Sequence, residues 1–247
     1  MKIILCGACG KMGRTITELC RDRGENIVYG VDVNPAPMPY PVGGLSKAPE
    51  ADVLIDFSSH EGIAERLAWC ADKHIPAVLG ATGYSGEEVA VIRNYAEKIP
   101  LFQSGNMSVG INLLQILVRK AAAVLQGFDV EIIEKHHNQK KDAPSGTALM
   151  LARSVEEGSA AQNGRVYGRH GIGQSREKGE IGIHAVRGGN IVGEHEVLFA
   201  GEDEIVTLSH SARSRSVFAS GALTAAAWLI RQPNGLYNMD DLLGSVL

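Results

Sequence analysis

The residues best equipped for chemistry lie together between Glu134 and Ala148, where the chain reads EKHHNQKKDAPSGTA. His136 and His137 are adjacent, and Lys140 follows three residues later. A histidine side chain titrates close to neutral pH and can give or take a proton there. A lysine carries a full positive charge and becomes a usable acid when desolvated. Further along the same stretch, Pro144-Ser145-Gly146-Thr147 reads as the start of a helix. Ser145 is the expected N-cap, and the backbone N–H groups of Gly146 and Thr147 then face outward, an arrangement suited to a carboxylate. Any one of these residues fits a solvated loop with an ordinary cap. Together they put proton donors beside an anion cradle.

A second constellation opens the chain. Gly7-Ala8-Cys9-Gly10-Lys11-Met12-Gly13 follows a short apolar run and precedes a helical pattern. This is G-x-x-G-x-x-G, a variant of the fingerprint in which glycines permit a tight turn and let the backbone approach a pyrophosphate. The helix N-terminus then faces the anion. A glycine turn alone also fits an ordinary strand–helix connection. Here a second strand follows and ends at Val31, and Asp32 stands at its end, where an acid can accept hydrogen bonds from an adenine ribose. The expected cofactor-binding set is therefore Gly7, Ala8, Cys9, Gly10, Lys11, Met12 and Asp32. A carboxylate at position 32 repels a 2′-phosphate, and residue 33 is Val rather than an arginine that could pair with it. The expected cofactor is NADH and/or NADPH, tilted towards NADH, with Lys11 leaving NADPH open. Two further loops, Gly80-Ala81-Thr82 and Ser104-Gly105-Asn106-Met107, follow strand patterns and add small residues where a nicotinamide crevice would form.

The elements that must position these residues fall into two groups. Up to about residue 125, apolar strand runs (2–6, 27–31, 53–57, 76–80, 100–104) alternate with helical patterns (11–23, 59–73, 86–98, 109–125). That alternation predicts a parallel sheet with helices on both faces. Five prolines between Asn34 and Pro49 predict an irregular surface loop. After residue 128 the pattern changes to a strand at 129–137, a helix from about Ser145 to Glu157, and strands at 180–187, 191–199 and 203–210. Short glycine-bearing joins at 188–190 and 200–202 predict antiparallel hairpins. The segment 217–231 is apolar, helical, and expected to return to the first domain. The expected fold is α/β: an N-terminal Rossmann-like parallel sheet domain, residues 1–107 with 217–247, and a smaller α+β domain with a mixed or antiparallel sheet, residues 108–216.

Composition narrows the functional classes. The 247 residues carry a net charge of −4, which gives no basic surplus for a nucleic-acid backbone. No apolar run is long enough to predict a membrane span. Gly7 and Gly10 interrupt the N-terminal apolar run, which therefore reads as a strand rather than a secretory signal. The four cysteines, Cys6, Cys9, Cys20 and Cys70, lie within predicted strands, helices and turns rather than through loops. They suggest a reducing, cytoplasmic setting. Cys6 and Cys9 form C-x-x-C, but no second pair completes a four-ligand set, so no metal site is expected. His195, between Glu194 and Glu196, is read as part of a solvated or interface strand face, and Arg213 and Arg215 as surface charges.

The stretch H-H-x-x-K-x-D-A-P-S-G-T-A at 136–148 resembles the signature of the 4-hydroxy-tetrahydrodipicolinate reductase (dihydrodipicolinate reductase) family. The resemblance extends through G-x-x-G-x-M-G at 7–13, D-F-S at 56–58, G-x-T-G at 80–83, N-M-S-V-G-x-N at 106–112 and Val186 with Gly188 and Gly193 to His195. Ala81 and Val33 are mild departures, both bearing on cofactor preference. The resemblance implies that His136 and Lys140 transfer protons, that His137 contacts substrate, and that Gly146 and Thr147 bind a substrate carboxylate. It also implies hydride transfer to a small unsaturated cyclic imine dicarboxylate, and assembly as a homotetramer through the second domain's sheet. Two rival readings share the glycine turn and Asp32: another two-domain dehydrogenase of amino or sugar acids, and a non-catalytic NADH sensor. Neither has a need for paired histidines and a lysine ahead of a Ser-Gly-Thr helix start.

Overall fold

The structure, a computed structural model, describes residues 1–159, 164–173 and 175–244. The first half of the chain forms β1 (Lys2–Cys6), α1 (Lys11–Arg23), β2 (Asn26–Val31), β3 (Val42–Gly43), β4 (Val53–Asp56), α2 (Ile63–Asp72), β5 (Ala77–Leu79), α3 (Gly86–Ala96), β6 (Pro100–Gln103) and α4 (Val109–Val124). There follow β7 (Asp129–His136), α5 (Gly146–Gly158), β8 (Arg165–Tyr167), β9 (Ile181–Arg187), β10 (Gly193–Ala200) and β11 (Ile205–Ala212). The chain closes with α6 (Ser216–Leu229), β12 (Gly235–Tyr237) and α7 (Met239–Gly244). Two compact units result, one of Met1–Val109 with Arg215–Leu247 and one of Gly110–Ser214.

The first unit is built on a seven-stranded sheet of order β12-β6-β5-β4-β1-β2-β3, in which all pairs are parallel. Its central strands are apolar on both faces: Ile3, Ile4, Leu5, Val53, Leu54 and Ile55 are at most 1% exposed. A strand covered on both sides must read this way, and each such side chain contributes roughly 1.5–3 kcal/mol by leaving water. Strand order reverses at β1, with β2 on one side and β4 on the other. The ends of β1 and β4 therefore mark the crevice at which such sheets take ligands. The proline-rich segment is largely irregular, but Val42–Gly43 adds β3 at the edge by pairing with Gly30–Val31. Helix α6 packs against α1 and the central strands, with Trp228 edge-on to Phe102.

The second unit holds a mixed five-stranded sheet of order β11-β10-β7-β9-β8. Helices α4 and α5 supply its core partners: Ile111, Leu114, Val118, Leu151 and Val155 cluster with Val130, Ile132, Ile183, Val197 and Phe199. One expectation is corrected here. The join at 188–190 does not make a hairpin, because β9 and β10 lie on opposite sides of β7. Strand β9 runs parallel to β7, and β10 runs antiparallel to it. Glycine in a short join signals that the chain turns back, but does not dictate which strand becomes the neighbour. The join at 201–204 is a true hairpin between β10 and β11.

Along β7 the buried face runs Val130, Ile132, Glu134, His136. The row begins apolar and ends with an acid and an imidazole, so the strand carries its chemistry into the core layer.

Gly221 offers a clean test of packing in the first unit. A methyl group there would collide with the backbone carbonyl of Met107, whereas one at Gly86 would meet nothing within 4 Å. Gly221→Ala should destabilise the unit by about 1–3 kcal/mol, and Gly86→Ala should not. Both tryptophans, Trp69 and Trp228, lie in this unit, so urea unfolding followed by tryptophan fluorescence reads the effect directly. Equal midpoints for the two variants would refute it.

Candidate active site and dinucleotide crevice

The glycine turn is dictated by close backbone contacts. Gly7 has φ +75° and donates its N–H to the Val31 carbonyl at 2.9 Å, tying the end of β1 to the end of β2. A side chain at Gly7 would strike the Phe57 carbonyl, and one at Gly13 would overlap the carbonyls of Gly7 and Ala8. Only hydrogen at these positions lets α1 begin directly over the turn. Gly10 occupies the N-cap, with no side chain to cap the helix. Ala8 is wholly buried beneath the turn, while Gly10 and Lys11 are exposed and Met12 is half-buried.

Asp32 accepts hydrogen bonds from the backbone N–H groups of Cys9 and Asn34, each at 2.9 Å. Gly7, Gly10, Asp32, Phe57 and Ser58 line a cleft of about 400 Å³ at the switch point of the sheet. Val33 beside them is 93% exposed. The Cys9 thiol meets the backbone of Ala36, accepting from its N–H at 3.3 Å, and Cys6 lies in the buried row of β1. All four cysteines are free thiols.

Sequence reasoning missed Arg66 in this cleft. Its guanidinium donates to the fully buried Asp56 carboxylate at 2.7 Å, and to the carbonyls of Ser59 and Glu61. Asp56 also accepts from the Ser58 N–H and hydroxyl. The D-F-S motif thus closes a charged knot that shapes the loop after β4. Arg66 stands on a helix whose pattern signals only amphipathicity, so nothing in the sequence marks it.

The other two loops follow β5 and β6, on the same edge of the sheet. Gly80 lets the Phe57 ring lie where a side chain would otherwise be, and Thr82 is exposed beyond the buried Ala81. The Ser104 hydroxyl donates to the Asn106 carbonyl at 2.8 Å, and the Asn106 side-chain carbonyl accepts from the Ser108 N–H. Gly105 is exposed, whereas Asn106 and Met107 are buried.

In the second unit, one carboxylate organises the candidate catalytic residues. Glu134 is completely buried. Its Oε2 lies 2.5 Å from Nδ1 of His136, and its Oε1 accepts the Ser145 N–H at 2.9 Å. Arg187 donates to both oxygens as a two-pronged fork, at 2.7 Å each. Burial pushes the Glu134 carboxyl up, but the hydrogen bonds from Arg187, His136 and Ser145 outweigh it and hold the group below the usual carboxylate range.

Ser145 is the N-cap of α5, and its hydroxyl accepts from the Ala148 N–H at 3.1 Å. That hydroxyl also meets Nε2 of His195 at 3.0 Å. Gly146 is exposed at the first helical position, with Thr147 half-buried behind it. The helix start and the His136 imidazole are thereby bound to a single carboxylate. Lys140 donates from Nζ to Asp142 at 2.9 Å, and its ammonium holds the Asp142 carboxyl below its usual range. His137 and Lys140 are half-buried, while Asn138 and Gln139 are exposed.

His195 corrects a second expectation. It is 5% exposed rather than solvated, and its ring stands edge-on to His136 with centroids 5.2 Å apart. Burial, with the neighbouring His136, pushes its pKa down to about 4, so it is neutral at pH 7. On β10 the glutamates on either side face the opposite side of the sheet. Alternation along a strand separates side chains by face, and the buried member of E-H-E could have been the histidine or the pair around it.

This architecture and these residues have counterparts in known proteins. The chain matches the family description "Dihydrodipicolinate reductase, N-terminus" over residues 1–107 and "Dihydrodipicolinate reductase, C-terminus" over residues 110–243. It is 50% identical to a 4-hydroxy-tetrahydrodipicolinate reductase of Caldanaerobacter subterraneus subsp. tengcongensis, with 98% of each chain covered. It is 46% identical to one from Clostridium novyi, over 99% of this chain and 98% of that one. Among solved structures, a dipicolinate-bound dihydrodipicolinate reductase from Paenisporosarcina sp. TG-14 superposes with a TM-score of 0.81 at 26% identity, covering 98% and 99% of the two chains. An amine dehydrogenase from Mycobacterium smegmatis, at 12% identity and a TM-score of 0.64 over 97% and 94% of the chains, shares the fold alone. With both halves matched and near-complete coverage at half identity, the chain belongs to the dihydrodipicolinate reductase family and is an oxidoreductase with a dinucleotide-binding fold.

Proposed function

We propose that the first unit binds a reduced nicotinamide dinucleotide, and that the second unit binds the dehydrated form of 4-hydroxy-tetrahydrodipicolinate and supplies the proton that completes its reduction to tetrahydrodipicolinate. The observation that carries this reading is the Glu134-centred arrangement, in which a buried, oriented imidazole and a capped helix start share one carboxylate. The reaction belongs to lysine and diaminopimelate biosynthesis, as the relatives' names imply.

The glycine turn fits the cofactor. Its missing side chains leave backbone at the mouth of a cleft, beside an acid at the end of β2. We assign cofactor contacts to the turn from Gly7 through Ala8, Cys9, Gly10, Lys11 and Met12, to Asp32, and to Gly80, Ala81, Thr82, Ser104, Gly105, Asn106 and Met107. Bound there, a reduced nicotinamide supplies the hydride. Gly146 and Thr147 receive a substrate carboxylate at the start of α5, where helix N–H groups favour an anion. His137 contacts the substrate on the side of the paired histidines. His136 and Lys140 hold the protons delivered after hydride arrives at the ring.

The substrate is a small dicarboxylate, which explains a site rich in N–H and cationic donors. The dipicolinate held by the Paenisporosarcina protein is a dicarboxylate of the same kind. NADH is the preferred cofactor on the strength of Asp32 and the exposed Val33. The free thiols suit a cytoplasmic setting, and among the described residues no helix is long and apolar enough to cross a membrane.

We also propose a homotetramer assembled through the second unit's sheet. Strand β11 is an edge strand with alternating exposed residues, and Ile205 at its start is 63% exposed. Such an edge needs a partner or a cover.

Three measurements test these assignments. In the purified enzyme supplied with freshly generated substrate, the loss of nicotinamide absorbance should fall by about 10²–10⁴-fold when His136→Ala and Lys140→Ala are combined. An unchanged rate would reject the site. Asp32→Ala should lower the ratio of kcat/KM for NADH over NADPH by about tenfold, the size of a lost charge-assisted bond. A constant ratio would show that the ribose contact lies elsewhere. Sedimentation equilibrium should return about four times the chain mass of 26.3 kDa, and a monomer would overturn the assembly.

A further inference from the structure

Glu134 and Arg187 do more than satisfy each other. The Glu134 carboxyl is held ionised, so both its oxygens can only accept. The short contact from His136 Nδ1 therefore requires a proton on Nδ1. In the neutral imidazole, Nε2 is then left with its lone pair, and it lies on the side of Gly193, where an added side-chain carbon would stand 3.1 Å from it. A glycine at that position keeps space beside the nitrogen.

Arg187 extends the same constraint to Lys140. One nitrogen of its fork on Glu134 also donates to the Asp142 carbonyl at 2.7 Å. The Asp142 side chain in turn holds the Lys140 ammonium at 2.9 Å. The segment is further pinned by Gly188 N–H to the His136 carbonyl and Asn138 N–H to the Gly189 carbonyl. Arg187 maintains this geometry although its Nε is buried without a hydrogen-bond partner among the described residues. Leaving a buried donor without a partner costs stability, and the fork that Arg187 places on Glu134 offsets that cost.

We infer that Glu134 and Arg187 form a positioning clamp: Glu134 fixes His136 in the Nδ1–H tautomer with Nε2 as its working nitrogen, and Arg187 couples that imidazole to the loop that aims Lys140. The clamp rests on the reading of His136 and Lys140 as proton-transfer residues, and it acts through them without touching substrate. Neutral His136 thus offers a base at Nε2, and protonated His136 offers an acid at the same atom. The ring need not turn between the two states, because Nδ1 keeps its proton and its partner in both.

The test combines a spectroscopic reading with kinetics. Full-length protein carrying ¹⁵N-labelled histidine gives separate ring-nitrogen shifts, with His136 assigned by its disappearance in His136→Asn. In the native chain under conditions where the ring is neutral, His136 should show a protonated Nδ1 and a bare Nε2. Glu134→Gln, close in shape, should yield a mixture of tautomers and lower kcat by about 10²-fold, the scale of a misplaced reacting group, with KM for NADH unchanged. Arg187→Met should lower kcat similarly, and Arg187→Lys should recover part of the loss.

A native His136 protonated at Nε2 would overturn the clamp without use of any variant. So would Glu134→Gln with native tautomer and native kcat. If the tautomer is locked as expected but His136→Asn is fully active, the clamp stands as geometry and the assignment of His136 to proton transfer falls.

Discussion

Burying a carboxylate in the core layer of a small sheet is the constraint around which the second unit is organised. An isolated ionised acid at the position of Glu134 would cost several kcal/mol in lost hydration. The cost is offset by donors from three separate segments: the strand's own imidazole, the forked guanidinium of β9, and the first backbone N–H ahead of α5. Each donor must arrive in the right place for the charge to be tolerated. Satisfying Glu134 therefore aligns β7, β9 and the start of α5 at the same time. Removing one partner would leave the others facing a charge with too few bonds, which is why such networks fail as units.

The first unit reaches its purpose by an opposite route. There the decisive feature is the absence of atoms, since Gly7 and Gly13 allow two stretches of backbone to come closer than any side chain would permit. The resulting turn keeps Asp32 bonded to the backbone of Cys9 and Asn34, so its carboxylate is fixed in place where it lines the cleft. The apolar residues of the central strands, Ile3, Ile4 and Leu5 with Val53, Leu54 and Ile55, give this turn a rigid floor. Preorganisation of this kind lowers the ordering cost of binding.

The periodicity of the sequence made the parallel sheet legible, because strands covered on both faces leave unbroken apolar runs between helical patterns. The change of class after residue 128 was legible for the same reason. Strand adjacency in the second sheet was not, since β9 and β10 pair with β7 rather than with each other, and a turn residue carries no information about a third strand. The candidate site divides similarly. His136, Lys140 and the Ser145 cap stand in one contiguous stretch and could be read directly. Arg187 and His195 come from strands far along the chain, and Arg66 from a helix, so their convergence on Glu134, Ser145 and Asp56 depends on tertiary register. The short strands β3, β8 and β12 left no trace because none stands in a continuous apolar run like the one that marks the equally short β5.

The first unit is assembled from the two ends of the chain, with the whole of Gly110–Ser214 between them. During synthesis, α6 and the edge strand β12 leave the ribosome only after the second unit has been made. Until then the nascent sheet lacks the helix that carries Trp228 onto Phe102, and β6 remains an open edge. The second unit, whose strands and helices are continuous in the chain, can complete itself first. The dinucleotide fold thus begins earliest and finishes last, and its unfinished apolar surface is what a chaperone would meet on the emerging polypeptide.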